Sequence, residues 1–88
     1  MSMADRIREK LASLSPQALT VTDDSSKHAG HAGATPGGET HFSVAMVAER
    51  FAGMSRVERH RLVHTLLDAE LHEGVHALSL ALKAPAEV

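Results

Sequence analysis

There is no cysteine in the chain, and that single absence removes three kinds of chemistry. Disulfide staples, a thiol nucleophile and any thiolate metal site built by this polypeptide alone are all excluded. Tryptophan and tyrosine are absent too, which leaves Phe42 and Phe51 as the only aromatics. A platform for stacking nucleic-acid bases therefore has few candidates. The formal net charge of -2 gives no general attraction to phosphate or anionic lipid. No apolar run approaches the roughly 18 residues that cross a bilayer, and the first residues show no signal-peptide apolar core. No membrane association is expected, and the cytoplasm is the expected compartment. No nucleophile–base pair, phosphate-binding loop or closed metal motif is visible, so the chain reads as a binding module and not an enzyme.

What the chain does have is histidine. There are seven in 88 residues: His28, His31, His41, His60, His64, His72 and His76. Without thiolates, these imidazoles are the soft-metal ligands it can offer. The length suits one domain over residues 1–88, with a modest core and a thin stability margin.

Residues 56–82 organise the rest. Ser55 and Glu58 form an S-x-x-E capping box. Leu62, Val63, Leu66, Leu67, Ala69 and Leu71 then recur at helical spacing, which predicts one long amphipathic helix. Glu70 falls within this apolar arc and is expected to pack its stem and send its carboxylate to water. Gly74 is placed to stop the helix in a left-handed conformation. The period then changes to 2, with Leu78, Leu80 and Leu82 sharing one face of a strand. His76 sits at the mouth of that strand, either packed or facing something bound at the edge.

Upstream, residues 3–14 predict a helix, with Ser2 and Asp5 as its capping pair and Ala4, Ile7, Leu11 and Leu14 on one stripe. Ser15-Pro16 ends it. Residues 17–23 and 41–47 alternate as half-buried strands, read as antiparallel neighbours. Between them lies a Gly-, Ser- and Ala-rich loop, residues 24–38, far longer than a tight turn needs. It carries His28 and His31. Residues 48–52 predict one helical turn that delivers Phe51 to the core, broken by Gly53. Residues 84–88 read as a short tail. The order α-β-β-α-α-β describes an α+β sandwich, a three-stranded sheet with helices packed on one face.

Glu39-Thr40-His41-Phe42, then Phe51-x-Gly53, then Arg59-His60-Arg61, and finally Val75-His76-Ala77-Leu78 closely resemble the BolA family in order and spacing, over nearly the whole chain. The resemblance implies a KH-like fold of the second class, αββααβ, without the KH glycine loop. It also implies partnership with a monothiol glutaredoxin, the two proteins sharing a [2Fe-2S] cluster in iron–sulfur trafficking and iron regulation. The family's ligand before the last strand falls on His76. Its loop ligand falls on His28, with His31 three residues later as the alternative. A cysteine-free chain supplies only imidazoles to such a cluster, so thiolates must come from the partner's active-site cysteine and a glutathione bound there. The isolated chain, monomer or weak homodimer, is expected to hold no cluster.

Arg56, Arg59 and Arg61 with Arg50 form the one basic concentration. They are read as a solvated helix start, or as contacts for the partner's carboxylates or for DNA phosphate. Some members of the resembling family are described as transcriptional regulators, so a DNA-binding regulator is the second reading. His60, His64, Asp68 and His72 recur every four residues and are read as a solvated face.

Overall fold

Strict alternation builds the sheet. In the computed structural model, which describes residues 1–24 and 40–88, β1 is Ala18–Asp23, β2 is His41–Val47 and β3 is Ala77–Lys83. They lie in the order β1-β2-β3. β1 and β2 are antiparallel, as the sequence suggested, with Leu19 opposite Met46 and Val21 opposite Val44. β3 runs parallel to β2, and Phe42, Val44 and Met46 lie beside Leu78, Leu80 and Leu82. Parallel neighbours need a crossover, which the helical segment between β2 and β3 supplies. Successive side chains point to opposite faces. Phe42, Val44 and Met46 are therefore buried under the helices, while Ala45, Ala77, Ser79 and Ala81 are exposed on the other side.

The first helix, α1 (Met3–Ala12), starts where its capping box dictates. Ser2 Oγ accepts from the Asp5 N–H at 3.1 Å, and the Asp5 carboxylate accepts from the Ser2 N–H at 3.3 Å. Ile7 and Leu11 are fully buried against the sheet and anchor the helix there. It ends two residues before the expected position, and Ser15, held off the helical region by Pro16, takes a left-handed φ of 52°.

The predicted long helix is two. Helix α2 (Arg56–Leu66) is followed at Leu67 by a turn with φ -99° and ψ 16°, and then by α3 (Asp68–Glu73). The N–H of Leu67 still bonds Val63 O at 3.0 Å, and that of Leu71 bonds Leu67 O at 2.9 Å, so helical bonding is kept on either side of the bend. Tertiary contacts account for the bend. Leu67 is drawn into the core, and Glu70 is drawn towards α1. The αββααβ order stands, but its two consecutive helices are α2 and α3. Residues Glu49–Phe51 form only a 3-10 turn, which buries Phe51 completely.

Two local expectations change. Ala69 is exposed, because the buried line runs Val63, Leu67, Glu70. Glu70 does not reach water: it is 1% exposed, with Oε2 2.8 Å from Arg6 Nη2 and Oε1 2.7 Å from Lys10 Nζ. These cations keep its pKa below the ordinary glutamate value, although burial itself acts against the charged form. Gly74 ends α3 with φ 160°, an extended value, and the left-handed glycine is Gly53 at φ 78°.

The expected tail also differs. Pro85–Glu87 form a second 3-10 turn folded back against α2. In β3, Ala77 and Lys83 direct their backbone groups to β2, so the alternation turns those of Leu82 outwards. Arg59 Nη1 donates to the Leu82 carbonyl at 3.1 Å. At the other edge the Val21 carbonyl also faces outwards, and Arg8 Nη2 donates to it at 3.3 Å.

Candidate functional site

The parallel register places the start of β2 beside the start of β3. His41 is paired with Ala77, so His76 arrives just outside the ladder at the same end of the sheet. Thr40, the residue before β2, is buried and organises this end. Its carbonyl accepts from the His76 N–H at 2.7 Å and the Ala77 N–H at 3.2 Å. Its hydroxyl lies 2.8 Å from His41 Nδ1. The His41 and His76 rings sit with centroids 6.3 Å apart and planes at 75°.

His76 therefore takes the open choice of the two its sequence left: its side chain is exposed. Its backbone is fixed while its ring is offered outwards. His28 and His31 lie outside the described residues. His41 was not singled out from sequence as a site residue. The signal available was the Thr-His pair opening a strand, which is invisible as a site until the parallel partner is known.

The basic start of α2 is smaller than it looked. Arg56 and Arg61 are exposed, but Arg59 is buried. Its Nη1 and Nη2 donate to Glu87 Oε1 and Oε2, each at 2.6 Å, and its guanidinium carbon lies 5.9 Å from the centroid of the Phe51 ring. This two-pronged pairing brings the Glu87 carboxyl down to about 2 and raises the arginine's pKa. Arg59 is thus engaged as an internal tie. Arg56 and His60 line an open groove of about 380 Å³ with Leu80 and Lys83, next to the outer edge of β3.

The helical histidine row has no metal geometry. His72 Nδ1 bonds the Asp68 carbonyl at 2.8 Å, and among the described residues no three or more His, Cys, Asp or Glu side chains could hold an ion. The donor set at the sheet end is different in kind. It offers imidazole nitrogens, no thiolate, and room for ligands from another molecule.

Comparison with known proteins agrees with this frame. The family described as BolA-like protein matches residues 11–87. The chain is 52% identical over 88 residues to "SufE-like protein 1, chloroplastic/mitochondrial" of Arabidopsis thaliana, covering 94% of this chain and 24% of that protein. It is 51% identical over 87 residues to "Protein BOLA1, chloroplastic" of the same plant, covering 96% of this chain and 54% of the other. The chain thus spans between a quarter and little more than half of these relatives. A solved structure, the BolA domain of SufE1 from Arabidopsis thaliana, superposes with a TM-score of 0.89 at 50% identity, covering 100% of this chain and 98% of that one. Among the described residues no helix is long and apolar enough to cross a membrane.

Proposed function

The chain belongs to the BolA-like family, and on that premise we propose that it is a binding module, not an enzyme, that partners a monothiol glutaredoxin and co-ligates a [2Fe-2S] cluster in iron–sulfur trafficking or iron regulation. The observation that carries the reading is His76: an exposed imidazole whose backbone is pinned to Thr40 at the open end of the sheet. Such a ring needs no rearrangement of the fold to reach a group held by another protein. The donor set fits a shared cluster. Histidines can replace two of the four thiolates of a [2Fe-2S] centre, and a chain without cysteine can contribute only that half. When bound between two proteins, such a cluster supplies one-electron redox chemistry and a transferable iron–sulfur unit.

On this reading His76 presents a nitrogen donor, and a loop histidine, His28 or His31, supplies the second. The partner's cysteine and its bound glutathione bring the thiolates. The test is to titrate the protein into cluster-loaded monothiol glutaredoxin and follow visible absorption and circular dichroism. A new spectrum is expected with the native protein and none with His76→Ala, whose fold stays intact. A spectrum identical to that of the glutaredoxin homodimer in both cases removes the proposal.

A further inference from the structure

β3 pairs with β2 on one side, and among the described residues no strand lies on its other side. Ala77 and Lys83 turn their backbone groups to β2, so those of Leu80, like those of Leu82, point away from the sheet. Arg59 occupies the Leu82 carbonyl. The N–H and carbonyl of Leu80 open instead on the groove of about 380 Å³ between this rim and α2. From Leu80 to Lys83 the rim runs about 10 Å, the length of three or four extended residues. The groove has an apolar floor in half-buried Leu80 and exposed Ala81. The charge around it has one sign left over. Arg56 and Lys83 are exposed and have no carboxylate partner among the described residues, and His60 shares the groove with them. Glu87, the acid of the groove, is already neutralised by Arg59. Alternation puts Lys83 with Ala81 on the open face of the sheet, while Arg56 stands on the helix-covered face. Each face of an extended segment laid along the rim is thus offered a cation.

We propose that this groove takes a short, extended, acidic segment of a partner protein, whose main chain bonds the outward groups of Leu80 and whose carboxylates pair with Arg56 and Lys83. Recognition of this kind draws affinity from main-chain hydrogen bonds at a sheet edge and specificity from the side chains around it. Arg59 keeps the Leu82 carbonyl and sets where the pairing stops. A nucleic-acid backbone would satisfy the cations but not the apolar floor or the Leu80 donor and acceptor. A second copy of this chain would bring a rim of the same charge. The groove lies at the opposite end of β3 from His76, so this interface and the shared-cluster reading stand or fall separately.

The probe is a fluorescein-labelled peptide of eight residues in which pairs of glutamates alternate with pairs of valines. It is titrated into the full chain by fluorescence anisotropy, and in parallel into nitrogen-15-labelled protein. One peptide per chain is expected, with amide shifts centred on Leu80 to Lys83 and on the first turns of α2. Arg56→Gln and Lys83→Gln should each weaken binding by about threefold, and the double variant by about tenfold. Arg8→Gln, at the other rim, should match the native protein. N-methylation of the valines, which removes main-chain donors, should also weaken binding, and a peptide with lysine for glutamate should not bind. Native affinity in the double variant, an equal loss in Arg8→Gln, or shifts centred elsewhere would overturn the proposal. So would a duplex oligonucleotide that moves the same amides and binds more tightly than the peptide, or shifts at these amides that follow protein concentration alone and report a second copy. No binding of the glutamate peptide overturns it as well, while the glutaredoxin spectrum and its dependence on His76 would be untouched.

Discussion

Glu87 grips Arg59 with both carboxylate oxygens, each 2.6 Å from a guanidinium nitrogen, and so ties the last turn of the chain to the first turns of α2. Bidentate pairing is the strong form of the arginine–carboxylate bond, and here one of the same nitrogens also serves a strand carbonyl.

This pair makes the protein acid-sensitive in a defined window. The Glu87 carboxyl is lowered from 4.5 to about 2 in the folded state, so folding favours its charged form. That contribution is fully present above the unfolded value and is lost as pH falls from about 5 towards 2. Glu70, Glu58 and Asp5 are shifted in the same direction. Thermal midpoints measured across this range should fall with pH. Glu87→Gln should start lower at neutral pH and show a shallower fall; an unchanged slope would contradict the assignment.

The arginines of α2 should separate into two classes. Arg59→Ala should lower the melting midpoint by about 5 °C or more, because it strips a strand carbonyl and Glu87 of their partner. Arg56→Ala and Arg61→Ala, at exposed positions, should stay within about 0.5 kcal/mol of the native stability. Differential scanning calorimetry distinguishes the outcomes. Equal effects at all three positions would mean that Arg59 is not the internal tie described.

Glu70 should matter more than a glutamate near a helix end normally does. Glu70→Ala removes the buried carboxylate shared by Arg6 and Lys10, and should cost about 1–3 kcal/mol in denaturant unfolding. The two cations are partly exposed and can turn to water, which keeps the loss below that of a fully enclosed pair. A loss under about 0.5 kcal/mol would show that α1 is held by Ile7 and Leu11 alone.

Gly53→Ala tests backbone conformation without a packing change. At φ 78° an added Cβ meets nothing within 4 Å, so its cost is the left-handed penalty of about 1–2 kcal/mol. Gly74→Ala, at an extended φ of 160°, should not incur that penalty. Chemical denaturation of the two variants side by side reads the difference.

The sequence revealed what is local. The alternation of β2 marked its limits, His41–Val47, and the Ser2/Asp5 and Ser55/Glu58 boxes marked the starts of α1 and α2. Each of those signals lies within a few residues of the structure it specifies. The bend at Leu67 was hidden because no glycine or proline marks it; packing does. Glu70 could not be placed without α1, which lies 64 positions away at Arg6. Arg59 read as surface because Glu87 lies 28 positions on, in what looked like a tail. At the candidate site, His76 was legible through its motif. His41 became visible only when β3 proved to be parallel to β2 and brought the two rings to one end.

The guanidinium groups of Arg8 and Arg59 cap one outward carbonyl on each rim of the sheet. A sheet rim with free backbone groups is a template on which a stranger's strand can nucleate fibril growth. Here an incoming chain would have to dislodge an arginine that is itself anchored to a carboxylate, Asp5 on one side and Glu87 on the other. Strand addition is thereby hindered at one point of each rim, by side chains and not by backbone pairing.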